Sequence, residues 1–185
     1  KVLEEVDKIK AISIVEKNNQ QVDIKLGLIY SIAPYLLPSI IPLLKNTSPD
    51  IYLKAEEDIT KNLINKLKDG AIDAAIIALP FDVPGIKIQT LYDEPFKVLI
   101  PSKHRWKKKQ KIDAKDLKHE KILLLDNTHC FSMQVRDACP GISDKAEIQA
   151  GTSLETIRNM VASNLGISIL PQSATVKNYS NDSIN

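Results

Sequence analysis

The 185-residue sequence has only two cysteines, Cys130 and Cys139, too few to staple a small secreted fold. Neither belongs to a CxxC pair, which argues against a structural zinc site. No apolar run approaches the roughly 18 residues of a membrane span, and the opening KVLEEVDKIK is no signal peptide. An excess of one charge is also lacking. Against 25 Lys+Arg stand 23 Asp+Glu, so the formal net charge of +2 excludes a chain held to nucleic acid by bulk electrostatics. What is there is 43% hydrophobic and long enough for one ordinary domain or two small lobes with a sizeable core. Such a chain is expected to be soluble and cytoplasmic, with no membrane partner.

Strand-like and helix-like segments alternate, which predicts an α/β fold with a largely parallel or mixed sheet. Residues 1–17 place Val2, Val6 and Ile9 at helical spacing and read either as a surface helix or as a linker outside the globular body. Val22–Ile29 then alternates as a strand. Ile32–Leu44 follows as a helix with Pro34 in its tolerated first turn, while Pro38 and Pro42 predict a kink or two short helices. Ile51–Glu56 reads as a strand, Thr60–Leu67 as a helix stopped by Gly70, and Ile72–Leu79 as a strand covered on both faces.

A composition shift at Pro80–Gly85 marks a crossing into a second lobe. Strands are expected there at Ile86–Tyr92, Phe96–Pro101, Ile122–Leu125, Ala146–Ala150 and Gly166–Pro171. Residues 130–138 form a helical pattern that stops at Cys139-Pro140-Gly141. Thr152 and Glu155 make a capping box opening a helix to about Ser163. The basic stretch Lys103–Lys111 reads as a solvated turn, because phosphate affinity needs several cations converging on one face.

Three strand-to-helix junctions carry chemistry-bearing side chains: Ser31, Thr60, and the run Asn127-Thr128-His129-Cys130. In open α/β sheets ligands bind at such strand ends. These residues therefore either line one small polar pocket, or Ser31 and Thr60 are plain helix N-caps. Cys130 opens a helix, where the amide dipoles favour an anionic sulfur; the alternative is an inert buried thiol. Nine residues separate it from Cys139. On one α-helix that is about 13 Å of rise and about two and a half turns, so the thiols face opposite ways. A disulfide needs Cα atoms within roughly 7 Å, so a bond between them requires the helix to unwind. Arg136 is badly placed to activate Cys130, and His104, His119 and His129 give neither ligand spacing for zinc nor a Cys–His nucleophile.

The run Pro34–Leu44, the segment Leu67–Leu79 and the late GISILP at 166–171 resemble the effector-binding domain of LysR-type transcriptional regulators. Gly27-Leu28-Ile29, Ala33–Pro38, Thr128-His129-Cys130 with Cys139, and Thr152–Ala162 are similar to its peroxide-sensing branch. The resemblance runs from about residue 22 to Pro171. It implies two Rossmann-like α/β lobes of the type 2 periplasmic-binding-protein kind, joined by a hinge near 80–95 and again near 165–175. Residues 1–20 would be the end of a linker helix, 21–90 the first lobe, 91–170 the second lobe with the cysteines, and 171–185 an incomplete return toward the first.

The resemblance further implies that hydrogen peroxide oxidises Cys130 to a sulfenic acid. Cys139 then condenses with it to a disulfide that remodels a homodimer or homotetramer. Ser31, Thr60 and His129 would hold the peroxide; Ser31 stands where the branch usually has threonine, keeping the hydroxyl and losing a methyl. A thiol reductant such as glutaredoxin or thioredoxin would reset the disulfide. Promoter DNA would be met only through an N-terminal winged helix–turn–helix that this sequence lacks. No cofactor, metal or enzymatic turnover is expected. No arginine here matches the one that supports the thiolate in the branch. The competing expectation is a LysR-type domain that binds a small organic ligand, its cysteines incidental.

Overall fold

The computed structural model describes residues 22–140, 142, 147–151 and 153–175. The expected linker helix of residues 1–20 and the end of the return segment lie outside them.

The first half forms β1 (Val22–Ile29), α1 (Ala33–Thr47), β2 (Ile51–Asp58), α2 (Thr60–Lys68) and β3 (Ala74–Ile76). They build a parallel three-stranded sheet in the order β2-β1-β3. The central strand β1 is exposed at its start and buried from Leu26 to Ile29, so its carboxyl end enters the core. The second half forms β4 (Phe96–Leu99), β5 (Lys121–Leu125), α3 (Cys130–Ala138), β6 (Glu147–Gly151), α4 (Leu154–Ala162) and β7 (Ile167–Pro171). Its sheet runs β4-β7-β5-β6, with β4 antiparallel to β7 and the other pairs parallel. The near-continuous apolar runs of β5 and β7 follow from burial on both faces.

Each half has its own core. Leu28 with Ala33, and Ile29 with Leu63 and Ile72, fill the first. A larger cluster around Ile122–Leu125, Phe131, Val135, Ile157, Ile167 and Trp106 fills the second. Gly166 lets β7 approach β5, since a Cβ there would meet the Lys121 carbonyl oxygen at 2.5 Å.

Several expectations need correction. Ile86–Tyr92 forms no strand: a strand needs a ladder partner, and this stretch instead lines a cleft beside β3. Ile72–Leu79 shortens to Ala74–Ile76, the part in register with Leu26–Leu28 of β1. The prolines do not split α1. Pro34 sits in the first turn, where proline is tolerated, and Pro38 and Pro42 lie exposed inside one continuous helix. Gly70 does stop α2, at φ +69°.

The helix caps also differ. Neither Ser31 nor Thr60 is an N-cap: Ile32 and Ile59 hold those positions without side-chain bonds. The cap of α4 falls one residue later than expected, on Ser153, whose hydroxyl accepts the Thr156 amide at 3.1 Å. Glu155 pairs with Arg158, and the expected capping residue Thr152 lies outside the described residues.

Candidate functional site

The second lobe presents Cys130 through a tight turn after β5. The Asp126 carboxylate accepts the Thr128 amide at 2.9 Å and the Thr128 hydroxyl at 2.5 Å. The hydroxyl bond is the main reason the Asp126 carboxyl is held below the usual carboxylate range. The His129 amide donates to the Asp126 carbonyl at 3.2 Å, and the buried Ser132 hydroxyl returns to the Leu125 carbonyl at 2.5 Å. His129 is left extended as N-cap, and Cys130 becomes the first helical residue of α3.

The first lobe supplies a hydroxyl. Asp58 takes over the start of α2, accepting from the Ile59 amide at 2.8 Å, from Asn62 at 2.7 Å and from Lys66 at 3.0 Å. Burial pushes the Asp58 carboxyl up, but these bonds outweigh it and hold it low. Thr60, released from capping, is 7% exposed and its hydroxyl donates to the Cys130 Sγ at 3.4 Å. The Thr60 hydroxyl thus turns the positive end of its dipole toward the sulfur.

Helix α3 has two working faces. Cys130 packs against the cluster of Ile29, Leu63 and Ile72 in the first lobe. One turn on, Gln134 donates from Nε2 to the Leu79 carbonyl at 2.8 Å. Phe131 and Val135 lie in the second core, with Cys139 packed against it. Both thiols are free, and they face different cores. Burial pushes the Cys139 thiol above the ordinary thiol range.

The remaining expected site residues are spread. Ser31, 5% exposed, borders a cleft of about 790 Å³ together with Phe131 and Gln134. His129 borders a second cleft of about 590 Å³ with Tyr35, Glu57 and Glu155, and meets the Tyr30 ring edge-on at 5.6 Å. Of the three side chains expected to hold the peroxide, Thr60 alone bonds the Cys130 sulfur among the described residues. Arg136 reaches Asn127 at 3.5 Å, not Cys130. No cluster of metal-ligating side chains occurs among the described residues, and none of their helices is long and apolar enough to cross a membrane.

Sequence reasoning missed Gln134, Asp126 and Tyr30. Gln134 had a usable signal: it stands four residues after Cys130 and so shares its helix face. Asp126 had another, as an Asx residue opening a turn before a helix. Nothing local marked Tyr30.

The LysR substrate binding domain model matches residues 17–184. The hydrogen peroxide-inducible genes activator of Pectobacterium carotovorum is 34% identical over 185 residues, 99% of this chain and 61% of that protein. The DNA-binding transcriptional dual regulator OxyR of Escherichia coli K12 is 34% identical over 99% of this chain and 60% of its own length. The chain therefore spans about 60% of the length of the curated relatives it matches. The reduced form of the OxyR regulatory domain from Pseudomonas aeruginosa superposes with a TM-score of 0.80 at 44% identity, covering 89% of this chain and 80% of that one. These relatives carry the names of regulators, not enzymes. The two sheets with their helices are of the type 2 periplasmic-binding-protein kind, as expected. The chain belongs to the LysR substrate-binding-domain family, within the group of OxyR regulatory domains.

Proposed function

We propose that this chain is the redox-sensing part of a hydrogen-peroxide-responsive transcription regulator, with Cys130 as the sensing thiol and Cys139 as its resolving partner. The Cys130 thiolate attacks one peroxide oxygen and the O–O bond breaks. The sulfur is oxidised to sulfenic acid, and the other oxygen leaves as water after taking a proton. The Cys139 sulfur then attacks the Cys130 sulfur, and a second water leaves as the disulfide forms. The single observation carrying this reading is the Thr60 hydroxyl on the Cys130 Sγ at the first residue of α3. Ser31 and His129, which border two separate clefts, are assigned as further partners of the peroxide.

Opposite placement of the thiols gives the switch its size. Cys139 must leave the second core and α3 must unwind before the two meet. The lobes are residues 21–90 and 91–170, and their relative setting is what the switch alters. A homodimer or homotetramer transmits the change to promoter DNA through a separate DNA-binding domain, in the cytoplasm. A glutaredoxin or thioredoxin returns the two electrons.

The test is peroxide treatment in the presence of a dimedone-type sulfenic acid trap. The adduct is expected on Cys130; a trap found on Cys139 instead, or on neither, overturns the reading. A second reading has one observation in its favour. The cleft of about 790 Å³, bordered by Ile32, Ile64, Val83 and Phe131, is large enough for a small organic ligand. A metabolite that raises Tm equally in the native chain and in Cys130→Ser would support that alternative.

A further inference from the structure

Residues 101–121 hold nine of the chain's 25 Lys+Arg and three of its 23 Asp+Glu. The stretch therefore carries +6 while the rest of the chain carries −4, a separation that the net +2 conceals. It is no slack turn. Trp106 is 4% exposed and seated in the second core. Backbone bonds from His104 to Pro101, Lys107 to His104 and Lys109 to Trp106, at 3.0, 3.0 and 2.8 Å, fold the segment into successive turns. Arg105 and Lys109 lie over the Trp106 ring at 5.4 and 5.7 Å.

The three carboxylates of this stretch are already engaged. Glu120 faces Arg105 and His104, Asp116 faces Lys109, and Asp113 faces Lys115. That leaves Lys103, Lys107, Lys108 and Lys111 exposed, with no partner for their ammonium groups among the described residues. Four uncompensated charges on one anchored loop repel one another, and an external polyanion relieves that repulsion. The rest of the chain, at −4, carries no comparable excess of positive charge.

We propose that the Lys103–Lys111 loop is a docking ridge for the phosphate backbone of duplex DNA. Lysines meet phosphates as point charges and read no sequence. Single strands fit less well, since the loop's one aromatic ring is buried and cannot stack on bases. The choice of duplex DNA over other polyanions rests on the promoter role proposed above, which brings DNA to this protein at high local concentration. The ridge adds to the contact of a separate DNA-binding domain and does not replace it.

The experiment is fluorescence anisotropy of a short labelled duplex of arbitrary sequence, titrated with the 185-residue chain at several salt concentrations. Four phosphate contacts predict a slope of log K against log salt of about −3.6, or about 10²-fold weaker binding at 200 than at 50 mM. The variant K103Q/K107Q/K108Q/K111Q should lose at least about tenfold in affinity and most of that slope. The control K45Q/K61Q/K68Q/K97Q removes the same charge from exposed lysines elsewhere and should bind like the native chain. Circular dichroism and Tm establish that both variants fold. Three results overturn the proposal: no binding at 50 mM salt, equal losses in the two variants, or tighter binding to polyglutamate or phosphatidylserine vesicles than to the duplex. None of these readouts involves either thiol, so failure of the ridge and failure of the peroxide reading are separate results.

Discussion

The Thr60 hydroxyl donates to the Cys130 Sγ at 3.4 Å, joining two residues 70 positions apart and from opposite lobes. A hydrogen bond to an anionic sulfur is worth about 1.5–3 kcal/mol. Thr60→Val keeps the shape and removes the donor, and should slow the reaction of Cys130 with peroxide by about tenfold or more. Thr60→Ser should restore most of the rate. Stopped-flow oxidation under single-turnover conditions distinguishes them; equal rates for the native chain and Thr60→Val would detach the hydroxyl from the chemistry.

Gln134 ties α3 to the Leu79 carbonyl at 2.8 Å, on the same face as Cys130. Gln134→Ala removes a lobe-to-lobe bond worth about 0.5–1.5 kcal/mol. It should lower stability by that amount and speed closure of the Cys130–Cys139 disulfide by about three- to tenfold, leaving the first oxidation unchanged. Trapping the sulfenic acid against time separates the two steps.

Burial raises the Cys139 thiol pKa in the folded chain. The folded state therefore holds this proton above the pH at which the unfolded chain releases it, near 8.5. The contribution to stability is complete below about pH 8.5 and is lost as pH rises through the folded value. Tm of the native chain should fall in that alkaline window more steeply than Tm of Cys139→Ala. At neutral pH an alkylating reagent should reach Cys130 before Cys139.

Gly166 and Gly27 are both closely approached, but by different atoms. A Cβ at Gly166 meets the Lys121 carbonyl oxygen at 2.5 Å, while at Gly27 it meets the Leu63 Cδ2 at 2.5 Å and the Ile72 Cδ1 at 2.9 Å. Side-chain methyls can shift and a paired strand cannot. Gly166→Ala should therefore cost about 2–3 kcal/mol in denaturant unfolding, and Gly27→Ala about 1–2. The reverse order would contradict the packing of β7 against β5.

The parallel strands were legible because burial on both faces leaves an unbroken apolar run, as in β5 from Ile122 to Leu125. The start of α3 at Cys130 and its end before Cys139 were equally legible, from the helical pattern and the following proline and glycine. Ile86–Tyr92 misled because its alternation of apolar and polar residues says nothing of a ladder partner: the stretch borders a cleft with Ile88, Leu91 and Tyr92 exposed. The bond from Thr60 to Cys130 was out of local reach: it depends on Asp58 taking over the start of α2, which spacing does not reveal. Gln134 was within reach, four residues from Cys130, but its partner is a backbone carbonyl 55 positions away.

The most direct measurement is mass spectrometry of the peroxide-treated chain after tryptic digestion without reductant. Cleavage after Arg136 separates the two cysteines, so a linked pair of peptides reports the bond itself. A Cys130–Cys139 link within monomeric chains, with loss of amide-exchange protection along α3, is the expected result. Unlinked thiols after peroxide, or a link found with α3 as protected as before, would contradict a switch built on unwinding this helix.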